Sequence, residues 1–103
     1  MMSEARLFAV MRTRGGAWKA GLPAERQYDW RGHFDYVQKL HAEGFVVAAG
    51  SLEGTDDALL IVRAKDEREI KEKLEWDSWT ANDLLRTTRV VPWTVRVGSV
   101  ERR

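Results

Sequence analysis

Short apolar runs alternate along the chain with stretches whose apolar residues recur at helical spacing. Leu7 to Met11 reads as a buried strand that ends in Arg12-Thr13-Arg14-Gly15-Gly16, where the glycines break regular structure. From there to Gln27 there is no periodicity, and a connection this long in a compact domain is usually functional or mobile. Between Tyr28 and Gly44 the pattern turns helical: Trp30, Phe34, Val37, Leu40 and His41 share one stripe, with Asp29 placed to cap the start and Gly44 the end. His33 lies inside that stripe, where an apolar side chain is expected. Phe45 to Leu52 predicts a second strand, with Gly50 and Ser51 permitting close approach near its end. Glu53-Gly54-Thr55-Asp56-Asp57 predicts a turn, and Ala58 to Arg63 a third strand forming a hairpin with the second. Asp66, with Glu69 three residues on, opens a second helix whose narrow apolar line is Ile70 and Leu74. Glu67 with Lys71 and Glu69 with Lys73 stand at the i,i+4 spacing that favours ion pairs. Asp77-Ser78-Trp79-Thr80 starts a short helical turn running to about Asp83. Thr87 to Val97 predicts the last strand, on the alternation of Val91, Trp93, Val95 and Val97, with Pro92 marking an edge or a bulge.

This order, βαββαβ, predicts an α+β, ferredoxin-like fold: a four-stranded antiparallel sheet with two helices on one face. The other face is then bare, yet the first and third strands are apolar on both sides. Leu7 and Ala9 alternate with Phe8 and Val10, and Leu59 and Ile61 with Leu60 and Val62. Strands so patterned need two covers, and the simplest second cover is another copy of the same face, giving a sheet-to-sheet homodimer. Residues 1–98 form one domain, with 99–103 a polar tail.

Composition narrows the function. In 103 residues, 17 basic and 16 acidic side chains leave a net charge of +1, and the signs are interspersed. No basic strip is available to follow a phosphate backbone, so nucleic acid is not an expected partner. The absence of cysteine removes disulfides, thiolate metal sites and thiol nucleophiles, and fits a reducing compartment. The N-terminal apolar run is too short for a signal peptide, and no stretch reaches the roughly 20 apolar residues of a membrane span. The reading is a cytoplasmic chain with no membrane partner.

The chemistry-bearing residues are few. A buried imidazole at His33 needs a partner, which a backbone carbonyl could supply as well as a carboxylate. His41 lies about 12 Å further along the helix by its rise, too far to share an ion with His33, so no metal site is expected. Arg12 and Arg14 beside the glycines could receive an anionic group, or simply be solvated. Of five tryptophans, Trp30 and Trp93 match apolar stripes and read as core. Trp18 and Trp79 could wall a pocket for a planar ligand, or pack in the core or a dimer interface. Nothing matches a phosphate-binding glycine loop or a nucleophile elbow.

Taken together, the strand leading into Arg12-Thr13-Arg14-Gly15 and Ala17-Trp18, the helix bearing His33, the run Glu43-Gly44-Phe45-Val46-Val47-Ala48-Ala49-Gly50-Ser51-Leu52, Asp77-Ser78-Trp79, and Val91-Pro92-Trp93 resemble the YciI-like (YCII-related) family of the dimeric α+β barrel superfamily. The resemblance implies a His-Asp dyad in a pocket between helices and sheet, falling on His33 and Asp77. Many members resemble enzymes with no assigned substrate, and a few are linked to degradation of chlorinated aromatics. Many relatives have proline after the aspartate, where this chain has Ser78. A carboxylate on one imidazole nitrogen fixes the tautomer and frees the other for proton transfer, which suits general acid-base chemistry without a cofactor. Asp77 could equally serve only as the cap of the following turn, or do both. The expectation is therefore a small enzyme with His33 and Asp77 catalytic and Arg12, Arg14, Trp18, Ser51 and Trp79 around a small organic ligand. A non-catalytic, ligand-binding dimer is the alternative. Haem with His33 as axial ligand rests only on related barrels, and a Soret band on haem titration is its test.

Overall fold

The computed structural model describes residues 5–100. Its elements are β1 (Arg6–Arg14), α1 (Trp30–Ala42), β2 (Val46–Ser51), β3 (Asp57–Ala64), α2 (Glu67–Glu75), α3 (Ser78–Ala81) and β4 (Leu85–Pro92). The sheet is antiparallel in the order β2-β3-β1-β4, which is the ferredoxin-like arrangement. Alternation along the central strands sends Phe8 and Val10 of β1 and Leu60, Val62 and Ala64 of β3 to one face. There they meet Leu40 of α1, and Ile70 and Leu74 of α2, in one buried core.

Local chemistry sets the helix ends. Asp29 takes a left-handed conformation (φ 52°) and accepts a hydrogen bond from the Gly32 amide, capping α1. At the other end Gly44 (φ 87°) lets its own amide donate to the His41 carbonyl and that of Phe45 to the Leu40 carbonyl. This is a Schellman closure with Phe45 packed in the same core as Leu40. Asp66 caps α2 through the Glu69 amide, while the Glu69 carboxylate turns back to the Lys65 amide. Among the described residues the i,i+4 ion pair on α2 is Arg68 with Glu72 at 3.6 Å, not the two pairs expected at Glu67 and Glu69.

Two strands differ from expectation. β1 continues past Met11 to Arg14, so Arg12 and Arg14 lie on the strand and not in its exit loop. β4 begins two residues earlier and stops at Pro92, five short of Val97. β1 runs antiparallel from Arg6, with Phe8 opposite Pro92, and the Trp93 amide to the Leu7 carbonyl is the next bond along that edge. Beyond it the partner strand is near its end, so the alternation of Trp93, Val95 and Val97 has no ladder to join. Trp93 is 41% exposed and Val97 92%, which corrects the reading of Trp93 as core. β4 is an edge strand, as Pro92 allows, and the register shift along it falls not at Pro92 but between Met11 and Arg12 of β1, opposite Thr88.

The long connection after β1 is ordered around Gln27, a buried amide. It accepts from the Lys19 amide and donates to the Lys19 and Leu22 carbonyls, closing the loop over a 3-10 turn at Ala24–Arg26. Of the polar tail expected over 99–103, residues 101–103 lie outside the described residues; the Val100 carbonyl accepts from Arg63 Nη2 at 3.2 Å.

Candidate functional site

Arg12 continues the inward alternation of Phe8 and Val10, so its guanidinium goes under the helices instead of into solvent. A cation removed from water needs a counter-charge, and Asp77 at the start of α3 supplies it. Arg12 Nη1 donates to Asp77 Oδ2 at 2.8 Å, with both side chains 1% exposed, and Arg12 Nη2 donates to Thr80 Oγ1. Arg12 Nε–H has no protein acceptor among the described residues.

The Asp77 carboxylate is shared among three partners. It caps α3 through the Trp79 amide (3.1 Å to Oδ1), takes Arg12, and lies 3.0 Å from His33 Nδ1 with each oxygen. Burial alone would raise its pKa. The His33 hydrogen bond and charge, the Arg12 donor and the Trp79 amide outweigh that and hold it below the ordinary 3.8, so Asp77 is a carboxylate at neutral pH. An ionised carboxylate only accepts hydrogen bonds, so the bond to His33 requires the proton on Nδ1. In the neutral ring the lone pair is then on Nε2, the nitrogen on the opposite side from Asp77.

Trp79 fixes the plane of that ring. The His33 and Trp79 rings stack at 3.8 Å with an interplanar angle of 3°, and the indole N–H is anchored on the Tyr28 carbonyl. Trp18 meets Trp79 edge-on at 5.4 Å, and Trp30 lies 5.9 Å from both Trp79 and His33. With Leu84 and Leu85 these aromatics form a second apolar cluster beside the main core. Tyr36, one turn beyond His33, donates its hydroxyl to the Lys73 carbonyl and ties α1 to α2.

A cavity of about 480 Å³ opens between this cluster and the sheet. Trp18, Trp30, Phe34 and Trp79 line it together with His33 and Arg12, and Ala49 and Ser51 of β2 face it from the far edge. At its rim Arg14 lies 4.5 Å over the Trp18 ring and pairs with Asp56 at 3.1 Å, both well exposed. A second rim carboxylate, Asp57, accepts from the Thr13 hydroxyl. The volume suits a small molecule with one flat apolar face.

All seven residues singled out in the sequence border this cavity or stand directly behind it. His33, Arg12, Arg14, Trp18, Ser51 and Trp79 line it, and Asp77 is buried behind His33. Arg12, however, is not an exposed anion receptor, since two of its donors are committed to Asp77 and Thr80. Thr80 and the rim acids Asp56 and Asp57 escaped sequence reasoning. A buried arginine at an inward strand position, needing a carboxylate and a further acceptor, was the available signal for Thr80. Among the described residues no group of three or more His, Asp or Glu side chains converges as a metal site would require. No described helix is long and apolar enough to cross a membrane.

No curated protein and no solved structure gives a significant match to the chain. The model of the YCII-related domain matches residues 8–94, a span running from β1 through the end of β4 and including every residue of the site. With its ferredoxin-like fold, the chain belongs to the YCII-related family.

Proposed function

We propose that this chain is a small enzyme in which His33 and Asp77 act as a general acid-base dyad on a small organic substrate held in the 480 Å³ cavity. The observation that carries the reading is the hydrogen bond of His33 Nδ1 to a buried carboxylate while the same ring lines the cavity. In the first step Nε2 takes a proton from the substrate, or from a water attacking it, and the resulting imidazolium is stabilised by Asp77. In the second step the proton is returned to the product, so the protein ends unchanged. The stack on Trp79 keeps the ring from swinging during both steps. Isomerisation, elimination and hydrolysis all fit this scheme.

The working form in this reading is a cytoplasmic homodimer joined by the bare sheet faces. Leu7, Ala9, Met11, Leu59 and Ile61 are only partly covered there, and Val91 is 37% exposed.

A panel of small planar carbonyl compounds and carboxylic acids, screened first by quenching of tryptophan fluorescence, tests the proposal. Binders are then assayed for turnover with wild type and His33→Ala. The expected result is binding by both proteins and turnover by wild type alone; equal turnover in the variant contradicts it. A second reading, a ligand-binding dimer without turnover, is favoured by one observation: Asp77 already serves the fold by capping α3 and neutralising Arg12. Binders that neither protein converts support that reading.

A further inference from the structure

We infer that Arg12 is a positioning residue: it holds Asp77 from behind and offsets its charge, so that the His33–Asp77 pair meets its ligand as a base. The inference rests on the dyad proposed above and adds what sets the pair to accept a proton first, the guanidinium behind Asp77.

Three observations converge on Arg12. Its backbone is clamped in a central strand, paired with Ala58 of β3 on one side and Thr87 of β4 on the other. Its guanidinium is fixed at two points, Asp77 Oδ2 at 2.8 Å and Thr80 Oγ1, both on the segment that carries Trp79. Both members of the ion pair are withdrawn from water, so water screens their charges from His33 very little. Charge counting gives the consequence. Arg12, Asp77 and a neutral imidazole sum to zero, whereas protonating His33 leaves one net positive charge in a buried cluster. A carboxylate facing His33 alone would draw a proton onto Nε2 strongly; one already balanced by a guanidinium draws it less. The pair therefore accepts a proton from an acidic C–H or a water in the first step, and donates it in the second.

Other charged groups near His33 are held apart from this balance. Arg14 and Asp56 pair at the cavity rim, Asp57 accepts from Thr13, and Glu25 lines the outer wall. On α1, Asp29 is engaged by Ser78 and the Tyr36 hydroxyl by the Lys73 carbonyl of α2. None of these contacts involves Arg12, so replacing it changes one charge.

The test is NMR titration of the imidazole signals, which two histidines make simple to assign. His41 is an internal control, since its Nδ1 lies on the Val46 carbonyl, away from the cluster. In Arg12→Met the His33 midpoint is expected about one pH unit above wild type, with His41 unmoved, as the loss of a charge several ångströms away at intermediate dielectric implies. A folded Arg12→Met with the wild-type midpoint overturns the inference. Should that variant not fold, Asp77→Asn and the double variant Arg12→Met/Asp77→Asn carry the same comparison. The double variant is expected to titrate about one pH unit above Asp77→Asn, and equality overturns the inference. Failure of the dyad itself reads differently: Asp77→Asn would then leave His33 at its wild-type midpoint, overturning both.

Discussion

Asp77 concentrates the consequences of the site in one side chain. Its folded pKa is depressed below 3.8, so its contribution to stability is complete above that value and is lost as pH falls through the folded one. The stability of wild type against urea is therefore expected to fall below pH 3.8, and the profile of Asp77→Asn to be flatter in that window. At pH 7 the same substitution leaves Arg12 buried without its counter-charge and is expected to cost about 3 kcal/mol. Parallel profiles for the two proteins below pH 3.8 would contradict the assignment. His33 and Asp77 were legible from a helical stripe and a family resemblance. The role of Arg12 was not, because a charged residue followed by Thr13, Arg14 and two glycines looks like a strand leaving the sheet. Tertiary partners 65 and 68 positions away, Asp77 and Thr80, hold it inside.

At the scale of elements, punctuation residues carried the reading. Asp29, Gly44 and Asp66 mark helix ends because their side chains or backbone freedom satisfy orphan amides and carbonyls, a local matter that sequence records. The end of β4 depends instead on where its neighbour β1 stops, which local alternation cannot report. Ser78 illustrates how an element absorbs a departure from the family pattern. It occupies the first position of α3, after an Asp77 with ψ 126°, a geometry that proline accepts. Its hydroxyl instead donates to Asp29 Oδ2 at 2.7 Å, joining the starts of α1 and α3 beside the site. Ser78→Pro is accordingly expected to fold, with thermal unfolding showing a change below about 1 kcal/mol, the worth of one exposed hydrogen bond. A loss above about 3 kcal/mol would show that the helix start differs from this geometry. Tyr36→Phe, which removes the bond between α1 and α2, is expected to lose about 1 kcal/mol in the same measurement.

For the whole molecule, the doubly apolar central strands distinguish this chain from a half-exposed sheet. One face is sealed by α1 and α2, while the other presents Leu7, Met11, Leu59 and Ile61 incompletely covered. Light scattering after size exclusion is expected to give twice the 11.9 kDa chain mass at micromolar concentration, and Ile61→Glu to halve it; a wild-type monomer contradicts the dimer. The ferredoxin-like order was legible because alternating strand and helix patterns allow few connections. A pocket between helices and sheet was expected from the family resemblance, but its outline was not, since its walls come from β1, the long loop, α1, β2, β3, α3 and the start of β4, and only packing assembles them. The central claim is that proton transfer occurs at His33 in that cavity. It is tested most directly by kcat for a substrate from the panel of small planar carbonyl compounds and carboxylic acids, measured on wild type, His33→Ala and Asp77→Asn after circular dichroism confirms each fold. The expected result is a fall of about 10²-fold or more for His33→Ala and a smaller fall for Asp77→Asn, and unchanged kcat in folded His33→Ala would contradict the account.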